Sequence, residues 1–229
     1  MTEDALDPRP AIAAACRTLA ARGLVEGSAG NVSVRVGELV AITATGARFE
    51  SLTADHVVLV DADGAVVDGD FAPTSELELH LAIHFGIHAD TATGAVVHTH
   101  APNCVALGLI ADELPCIHYQ LLQLGGAVPV APYATFGTPE LAASVRTALT
   151  GRSAALMANH GAVTHAADLR TAVEHTLLLE WACGIYLTAV AAGTPRGLDA
   201  AEQRAAVEAA LGRGYGSIQR AKEEGSRHE

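Results

Sequence analysis

The chain has 229 residues, half of them apolar, and its formal net charge at pH 7 is -12. This length suits one domain with a large aliphatic core. The charge argues against a nucleic-acid partner, because phosphate backbones attract clustered Lys and Arg, and acidic residues outnumber basic ones by 26 to 14. A phosphorylated small molecule would be held by backbone N–H groups, hydroxyls or a metal.

Neither the N-terminal residues nor the cysteines show a targeting or redox motif. Residues 1–10 are acidic with two prolines, unlike a secretory leader. No run approaches about 20 apolar residues without polar interruption, so no membrane span is expected. The cysteines lack C-x-x-C spacing, which favours buried free thiols. We predict a cytoplasmic protein with one domain over residues 1–229, flexible at 1–9 and at about 220–229.

The first half of the chain predicts a helix, several strands and a second helix. Residues 10–22 carry helix formers behind a proline, and Gly23 ends the helix. Short β-branched runs then predict successive antiparallel strands. These runs are NVSVRV, LVAITAT and VVLVD. A second helix is predicted from about Ser75 to His88.

The second half alternates strands and helices irregularly. AVVHTH predicts a buried strand, APNCVALGLI a helix, VPVAPY a strand and TPELAASVRTAL a helix. AALMANHGAVTH predicts a hairpin, and a long amphipathic helix after it ends at Gly193, before a last helix at AEQRAAVEAAL. This order favours an α/β fold with a mixed, largely antiparallel sheet flanked by helices over a parallel barrel.

Three histidines at predicted strand ends form a candidate metal site. His98 and His100 lie two residues apart at the end of a strand, so both imidazoles lie on one face. His160 ends another apolar run and is followed by Gly161, where a sharp turn is expected. If the two strand ends converge, three neutral imidazoles leave a coordination position open, as in catalytic zinc sites.

A second histidine cluster competes with the first for this interpretation. His80, His84 and His88 have i, i+4, i+8 spacing and share one helical face, which is also suited to a metal. Because the same helix is rich in leucine and isoleucine, capping, pairing or an interface is the favoured role for these histidines.

The start of the second helix offers a carboxylate and an anion site. Ser75 is a candidate N-cap that fits a capping box with Glu78, and Glu76 in the first turn gains from the helix dipole. Free N–H groups beside the Thr74 and Ser75 hydroxyls suit a phosphate. The loop GSAGN and the pair Thr45-Gly46 are further small loops that permit close approach.

Seven segments together resemble the class II aldolase and adducin family, in the family's order and spacing, from about Ile12 to Tyr215. They are GSAGNVSVR, ITATGARFESLTADHVVLVD, PTSELELH, AVVHTHAPNC, PCIHY, VPVAPYATFGTPELA and MANHGAV. The resemblance implies the family's three-layer fold and a zinc-dependent aldolase. Its reaction would cleave a ketose 1-phosphate, such as L-fuculose 1-phosphate or a 5-deoxypentulose 1-phosphate, to dihydroxyacetone phosphate and a short aldehyde such as lactaldehyde.

The resemblance also implies roles for individual residues. His98, His100 and His160 match the zinc ligands, and Glu76 matches the catalytic acid/base. The residues matching the phosphate site are Ser28, Asn31, Thr45, Gly46, Thr74 and Ser75.

The family further implies a homotetramer with active sites between subunits. Tyr119 would come from a neighbouring subunit and donate a proton to the aldehyde oxygen. Phe136 and the more weakly matching Tyr215 are candidates for the wall of the substrate pocket.

Three other activities on the same scaffold stay open at this point. A pentulose-phosphate 4-epimerase would carry Asp at position 76, where this chain has Glu. A methylthioribulose-1-phosphate dehydratase keeps similar zinc ligands and is distinguished by its products. An adducin-like binding protein would lack the metal site, which the three histidines and Glu76 argue against.

Overall fold

The computed structural model describes residues 7–86 and 93–213. The helices are α1 (Arg9–Ala21), α2 (Leu77–Gly86), α3 (Pro102–Gly108), α4 (Pro139–Ala148), α5 (Leu169–Ala192) and α6 (Ala200–Arg213). The strands are β1 (Asn31–Val36), β2 (Leu39–Thr43), β3 (Val57–Val60), β4 (Val66–Asp68), β5 (Ala95–Thr99), β6 (Glu113–Leu114), β7 (Val128–Ala131), β8 (Ala154–Met157) and β9 (Gly161–Ala166). Short 3₁₀ helices lie at Phe49–Ser51, Ala54–His56 and Tyr119–Leu124.

The strands form one nine-stranded sheet in the order β4-β3-β2-β1-β5-β9-β8-β7-β6. The pair β7–β8 is parallel, and every other neighbouring pair in this order is antiparallel. The prediction of a mixed, largely antiparallel sheet is therefore confirmed. Because β5 lies between β1 and β9, residues from all three strands come close at the centre of the sheet.

Helices cover both faces of the sheet, which confirms the three-layer arrangement. Strand β5 shows how its alternating side chains supply two cores. Ala95 and Val97 belong to the core under α1, α3 and α5, whereas Val96 belongs to the core under α2 and α4. His98, two residues beyond Val96, shares the α2 face.

The predicted elements are confirmed in type, with differences at their ends. Helix α2 begins at Leu77, two residues after the predicted start near Ser75, and residues 75–76 form a turn. The predicted end at His88 lies outside the described residues. Strands β4 and β6 were not predicted, since they are only three and two residues long and have no clear alternation.

Helix α5 is long and apolar enough to cross a membrane by length and composition alone, although polar residues such as Glu174 and Glu180 interrupt it. In the fold it is one of the helices covering the sheet, and its inward side, including Ala172 and Leu179, is buried there. It also carries Glu180, whose carboxylate accepts hydrogen bonds from the backbone N–H groups of Asn103 and Cys104 at 3.0 Å.

The expected flexible ends fall mostly outside the described residues. Residues 7–9 are described, and Arg9 is already the first residue of α1, where it pairs with Asp68. The cysteines Cys16, Cys104, Cys116 and Cys183 are all buried free thiols, as predicted.

The hairpin predicted at AALMANHGAVTH is confirmed as β8 and β9, but its turn differs from the expectation. Asn159, rather than Gly161, adopts the left-handed backbone conformation, with φ of 56°. Gly161 has another purpose. A Cβ there would lie 2.3 Å from the carbonyl oxygen of Thr99, so glycine allows β9 to approach the end of β5.

Replacing Gly161 by alanine should therefore destabilise the fold, because the backbone of β5 or β9 must move. We expect a loss of about 1 to 3 kcal/mol in the free energy of unfolding, measured by urea denaturation. Gly212→Ala is the matched control, because a Cβ there meets no atom within 4 Å and α6 favours alanine. Equal stability of the two variants would contradict the close approach.

Candidate active site

Four ligand-type side chains converge where β5, β9 and the start of α2 meet. Glu76, His98, His100 and His160 each offer one oxygen or nitrogen atom, and these atoms all lie within 4.8 Å of one another. His98 is the second-last residue of β5, His100 directly follows that strand, and His160 directly precedes β9. The predicted convergence of the two strand ends is therefore present, with Glu76 added from the turn before α2.

The three imidazoles are nearly equidistant. Their ring centroids are separated by 4.9 Å between His98 and His100 and by 5.0 Å from each of these to His160. The Nε2 atoms of His98 and His100 are 3.0 Å apart. Glu76 approaches with Oε2 3.0 Å from His98 Nε2 and Oε1 3.3 Å from His160 Nε2.

The cluster fits a divalent metal on its own chemistry. Oε1 of Glu76 is buried and makes no hydrogen bond within the described residues. Nδ1 of His98 lies 2.9 Å from the carbonyl oxygen of Ala162, which can only accept, so Nδ1 carries a proton and Nε2 is directed into the cluster. Three imidazole nitrogens and one carboxylate form the donor set of zinc or a similar transition metal.

The charges and hydrogen bonds around Glu76 favour its ionised form. Burial acts to raise the pKa of Glu76, but the charge of His98 and hydrogen bonds from His98 and Asn31 hold it well below its usual range. Burial acts to lower the pKa of His98, but Glu76 more than offsets this and raises it. Burial and the charges of His98 and His160 lower the pKa of His100 to about 4. His160 is likewise shifted down by burial, so its pKa is below the ordinary value.

The cluster opens onto a cavity of about 540 Å³. Glu76, His100 and His160 lie in its wall, and His98 is fully buried behind them. The cavity is also lined by all six residues that match the phosphate site, Ser28, Asn31, Thr45, Gly46, Thr74 and Ser75. The fold therefore brings the predicted metal ligands and the predicted phosphate-binding residues to one cavity.

The residues predicted for the phosphate site line this cavity with hydroxyls, one amide and one glycine. No Arg or Lys lies among the residues that line it in the described chain. The Thr74 hydroxyl accepts a hydrogen bond from the Glu76 backbone N–H at 3.3 Å. The capping box predicted for Ser75 is wrong in position, because Glu76 is the residue that precedes α2.

The three aromatic candidates have different outcomes. Phe136 lines the cavity, and Tyr133, which was not predicted, lines it too. Tyr119 does not line it within the described chain; its ring lies on His118 with centroids 4.4 Å apart, and it is 43% exposed. Tyr215 lies outside the described residues.

The histidines predicted on the second helix lie in a different environment from the group formed by Glu76 and the three clustered histidines. His80 and His84 are buried and lie within 2.6 and 2.7 Å of the Ser33 hydroxyl. They are not part of the His/Glu group found in the described residues, and His88 lies outside those residues. The expectation that these histidines pair rather than bind metal is consistent with these contacts.

Sequence reasoning missed two features of the site. Asn159 lines the cavity because the hairpin turn places it beside His160. Asn31 donates a hydrogen bond from Nδ2 to Glu76 Oε2 at 3.0 Å. The sequence did contain a signal for the Asn31–Glu76 contact. Glu76, His80 and His84 have helical spacing, and Asn31 and Ser33 have strand spacing, so each set shares one face.

Comparison with known proteins gives the family. Residues 10–187 match the class II aldolase and adducin N-terminal domain. L-fuculose phosphate aldolase of Escherichia coli O6:H1 is 39% identical over 181 residues, 79% of this chain and 82% of that protein. A solved structure of L-fuculose 1-phosphate aldolase superposes with a TM-score of 0.83 at 33% identity, covering 91% of this chain and 97% of that one. The chain belongs to the class II aldolase and adducin family.

Within that family its similarity is to enzymes. A 5-deoxy-D-ribulose 1-phosphate aldolase of Bacillus thuringiensis is 34% identical over 190 residues, 82% of this chain and 88% of that protein. The chain is accordingly a lyase of the aldolase type, with a His/Glu group able to bind a metal. This sets aside the adducin-like binding protein.

Metal affinity should rise with pH through neutrality, because a proton on His98 competes with the metal. Glu76 raises the pKa of His98, so below that pKa each lower pH unit should weaken binding by about tenfold, and above it the affinity should level off. Chelator competition with Zn²⁺ between about pH 5 and 8 measures this. In Glu76→Gln the dependence should move to lower pH. The same pH dependence in both proteins would contradict the Glu76–His98 coupling.

Proposed function

We propose that the protein is a zinc-dependent aldolase that cleaves a ketose 1-phosphate reversibly to dihydroxyacetone phosphate and a short aldehyde. L-fuculose 1-phosphate, giving lactaldehyde, and a 5-deoxypentulose 1-phosphate are the proposed substrates. The observation that carries this proposal is one cavity that brings together two unlike groups of side chains. One group is Glu76 with three imidazoles, and the other consists of hydroxyls, an amide and glycines without a cationic side chain among the described residues.

The group of hydroxyls and glycines in the cavity wall suits a phosphate monoester. Ser28, Thr45, Thr74 and Ser75 supply hydroxyls, and Gly46, at φ of 72°, allows the backbone to approach a ligand closely. Such a site holds an anion by many directed hydrogen bonds instead of a full counter-charge. A ketose 1-phosphate whose phosphate lies against these hydroxyls would have its carbonyl region near Glu76 and the histidines, which line the same cavity.

A metal aldolase is also favoured by what the sequence lacks. The chain has one lysine, Lys222, in the polar C-terminal segment, and the described residues that line the cavity include no lysine for a Schiff-base mechanism. His98, His100 and His160 would hold the zinc, with Glu76 as a further ligand before substrate arrives. Bound there, zinc supplies Lewis-acid stabilisation of the negative charge that develops when the carbon–carbon bond breaks.

The acid/base work is assigned to two side chains. Glu76 would exchange a proton at the nucleophilic carbon, and its position between the histidines and the phosphate loops supports this role. Tyr119 of a neighbouring subunit would donate a proton to the aldehyde oxygen. Phe136, with 65% of its surface exposed at the cavity mouth, is proposed to contact the aldehyde portion.

A homotetramer in the cytoplasm, with sites at subunit interfaces, completes the proposal. It is supported by the place of Tyr119, which is half exposed away from the cavity of its own chain. The outward side of α5 near Tyr119 carries exposed apolar residues, and one of them, Trp181, contacts His118 with ring centroids 5.0 Å apart. Apolar side chains in this number suit burial between subunits.

The deciding experiment is a coupled assay for dihydroxyacetone phosphate. L-fuculose 1-phosphate and 5-deoxyribulose 1-phosphate are supplied separately, with and without a chelator. Chelator-sensitive release from either is expected, and the ratio of kcat/KM values ranks the two. Bound metal without any release would contradict the aldolase and favour the epimerase or dehydratase, which are identified by their own products.

Glu76→Gln should keep its metal and lose turnover. The three histidines remain, whereas an amide cannot exchange the proton, so kcat should fall by about 10² to 10⁴-fold. Metal content and kcat are measured on the same sample. A variant with wild-type kcat would refute the acid/base role of Glu76.

Mixing Glu76→Gln with Tyr119→Phe should restore activity if the site is shared between subunits. Each variant alone should be nearly inactive. In randomly mixed oligomers, about a quarter of the sites would combine an intact Glu76 with an intact Tyr119. Refolding or subunit exchange of the two proteins, followed by the same assay, measures this recovery. Mixed oligomers that stay inactive would place Tyr119 outside the site.

A further inference from the structure

Behind the cavity wall, five buried polar side chains form a single line between α2 and β1, here called the polar line. Its members, in order of contact, are Glu76, Asn31, His80, Ser33 and His84. Only the first two line the cavity. The other three are almost fully buried, so they do not meet a ligand directly.

The polar line arises from two matching periodicities. On α2 and the turn before it, Glu76, His80 and His84 follow each other at intervals of four residues and lie on one side. On β1, Asn31 and Ser33 are two residues apart and face α2. Strand β1 also pairs with β5, where Asn31 is opposite His98, so the polar line ends at the histidine cluster.

The direction of the hydrogen bonds is set by the carboxylate at one end. Ionised Glu76 can only accept, so Asn31 Nδ2 donates to its Oε2 at 3.0 Å. Asn31 Oδ1 then accepts from His80 Nε2–H. A neutral His80 protonated at Nε2 has an unprotonated Nδ1, and this atom accepts the Ser33 hydroxyl proton at 2.6 Å.

The far end of the polar line completes the same direction. Ser33 Oγ, having donated to His80, accepts from His84 Nε2–H at 2.7 Å. The opposite assignment would have His84 donate from Nδ1 to the Thr93 carbonyl, a contact of 3.3 Å. It would leave two acceptors facing each other between Ser33 and His80 at 2.6 Å, so the shorter contacts decide against it.

We propose that His80, held in one tautomer by Ser33 and His84, is a positioning residue that orients the Asn31 amide towards Glu76. The role rests on the proposed acid/base function of Glu76. Without the His80 donor, the Asn31 amide is free to turn, which would place Oδ1 against the carboxylate and replace an attraction by a repulsion. Glu76 would then leave the position that the reaction needs.

The test compares His80→Leu with His80→Gln. Leucine removes the donor, whereas the glutamine amide can donate near the former Nε2 position. We expect kcat of His80→Leu to fall by about 10- to 100-fold with bound zinc unchanged. His80→Gln should recover most of kcat. Wild-type kcat in His80→Leu, or no recovery by glutamine in a folded protein, would overturn the proposal.

Two further variants separate positioning from stability. His165→Leu removes another buried histidine from the same face of the sheet, outside the polar line, and should lower stability without changing kcat or KM. Ser33→Ala removes only a hydroxyl, so it decides the matter if His80→Leu does not fold. Its kcat should fall while its zinc content is kept, and wild-type kcat would overturn the proposal.

A measurement without substrate keeps this inference distinct from the proposed function. Nitrogen-15 NMR of the imidazoles in the zinc-loaded wild-type protein should report His80 as neutral, protonated at Nε2 and unprotonated at Nδ1. The opposite tautomer would overturn the polar line whatever the activity. If the protein shows no aldolase turnover but His80 has the expected tautomer, the function fails while the hydrogen-bond assignment stands.

Discussion

The contact between Glu76 and His98 is the constraint on which the rest of the site depends. A buried carboxylate is costly unless charge and hydrogen bonds compensate for it, and here both come from fixed elements of the fold. His98 is fixed by its own Nδ1–H bond to Ala162 in β9, and Asn31 is fixed opposite it in β1. Three neighbouring strands and the turn before α2 therefore have to meet in one register for the charge to be tolerated.

The cavity wall has one charged carboxylate, at the histidines, and its other polar groups are neutral among its described residues. Net charge is strongly negative and the cavity wall has no cationic side chain among the described residues, so an anionic ligand there would depend on hydroxyls, backbone N–H groups and a bound metal. Two oxygens of one carboxylate contact His98 and His160, while the loops with glycines and hydroxyls add no charged side chain to the part of the cavity wall that the structure describes. Binding of an anion in such a cavity would rest on short-range hydrogen bonds, because few of its interactions act at long range.

Much of the fold could be predicted because period and turn signals were strong. The alternation in NVSVRV and AVVHTH, the glycine after α1 and the long amphipathic α5 were sufficient for their elements. Strands β4 and β6 were too short to show a period. Helix α2 begins later than predicted, and the Thr74 hydroxyl, rather than that of Ser75, accepts a hydrogen bond from the backbone of the turn before it. Gly161 was attributed to a turn, whereas its place is set by a distant carbonyl, which no local signal reports.

The sequence alone determined the ligand-type residues, the even spacing of His98 and His100, the presence of a single lysine and the resemblance that groups the predicted phosphate residues. Only the tertiary structure decided that β5 lies between β1 and β9, which brings Glu76, Asn31 and His160 to one point. It also decided that His80 and His84 meet Ser33 instead of a metal. The physical reason is that spacing along a chain fixes which face a side chain occupies, whereas its partner depends on which strand pairs beside it.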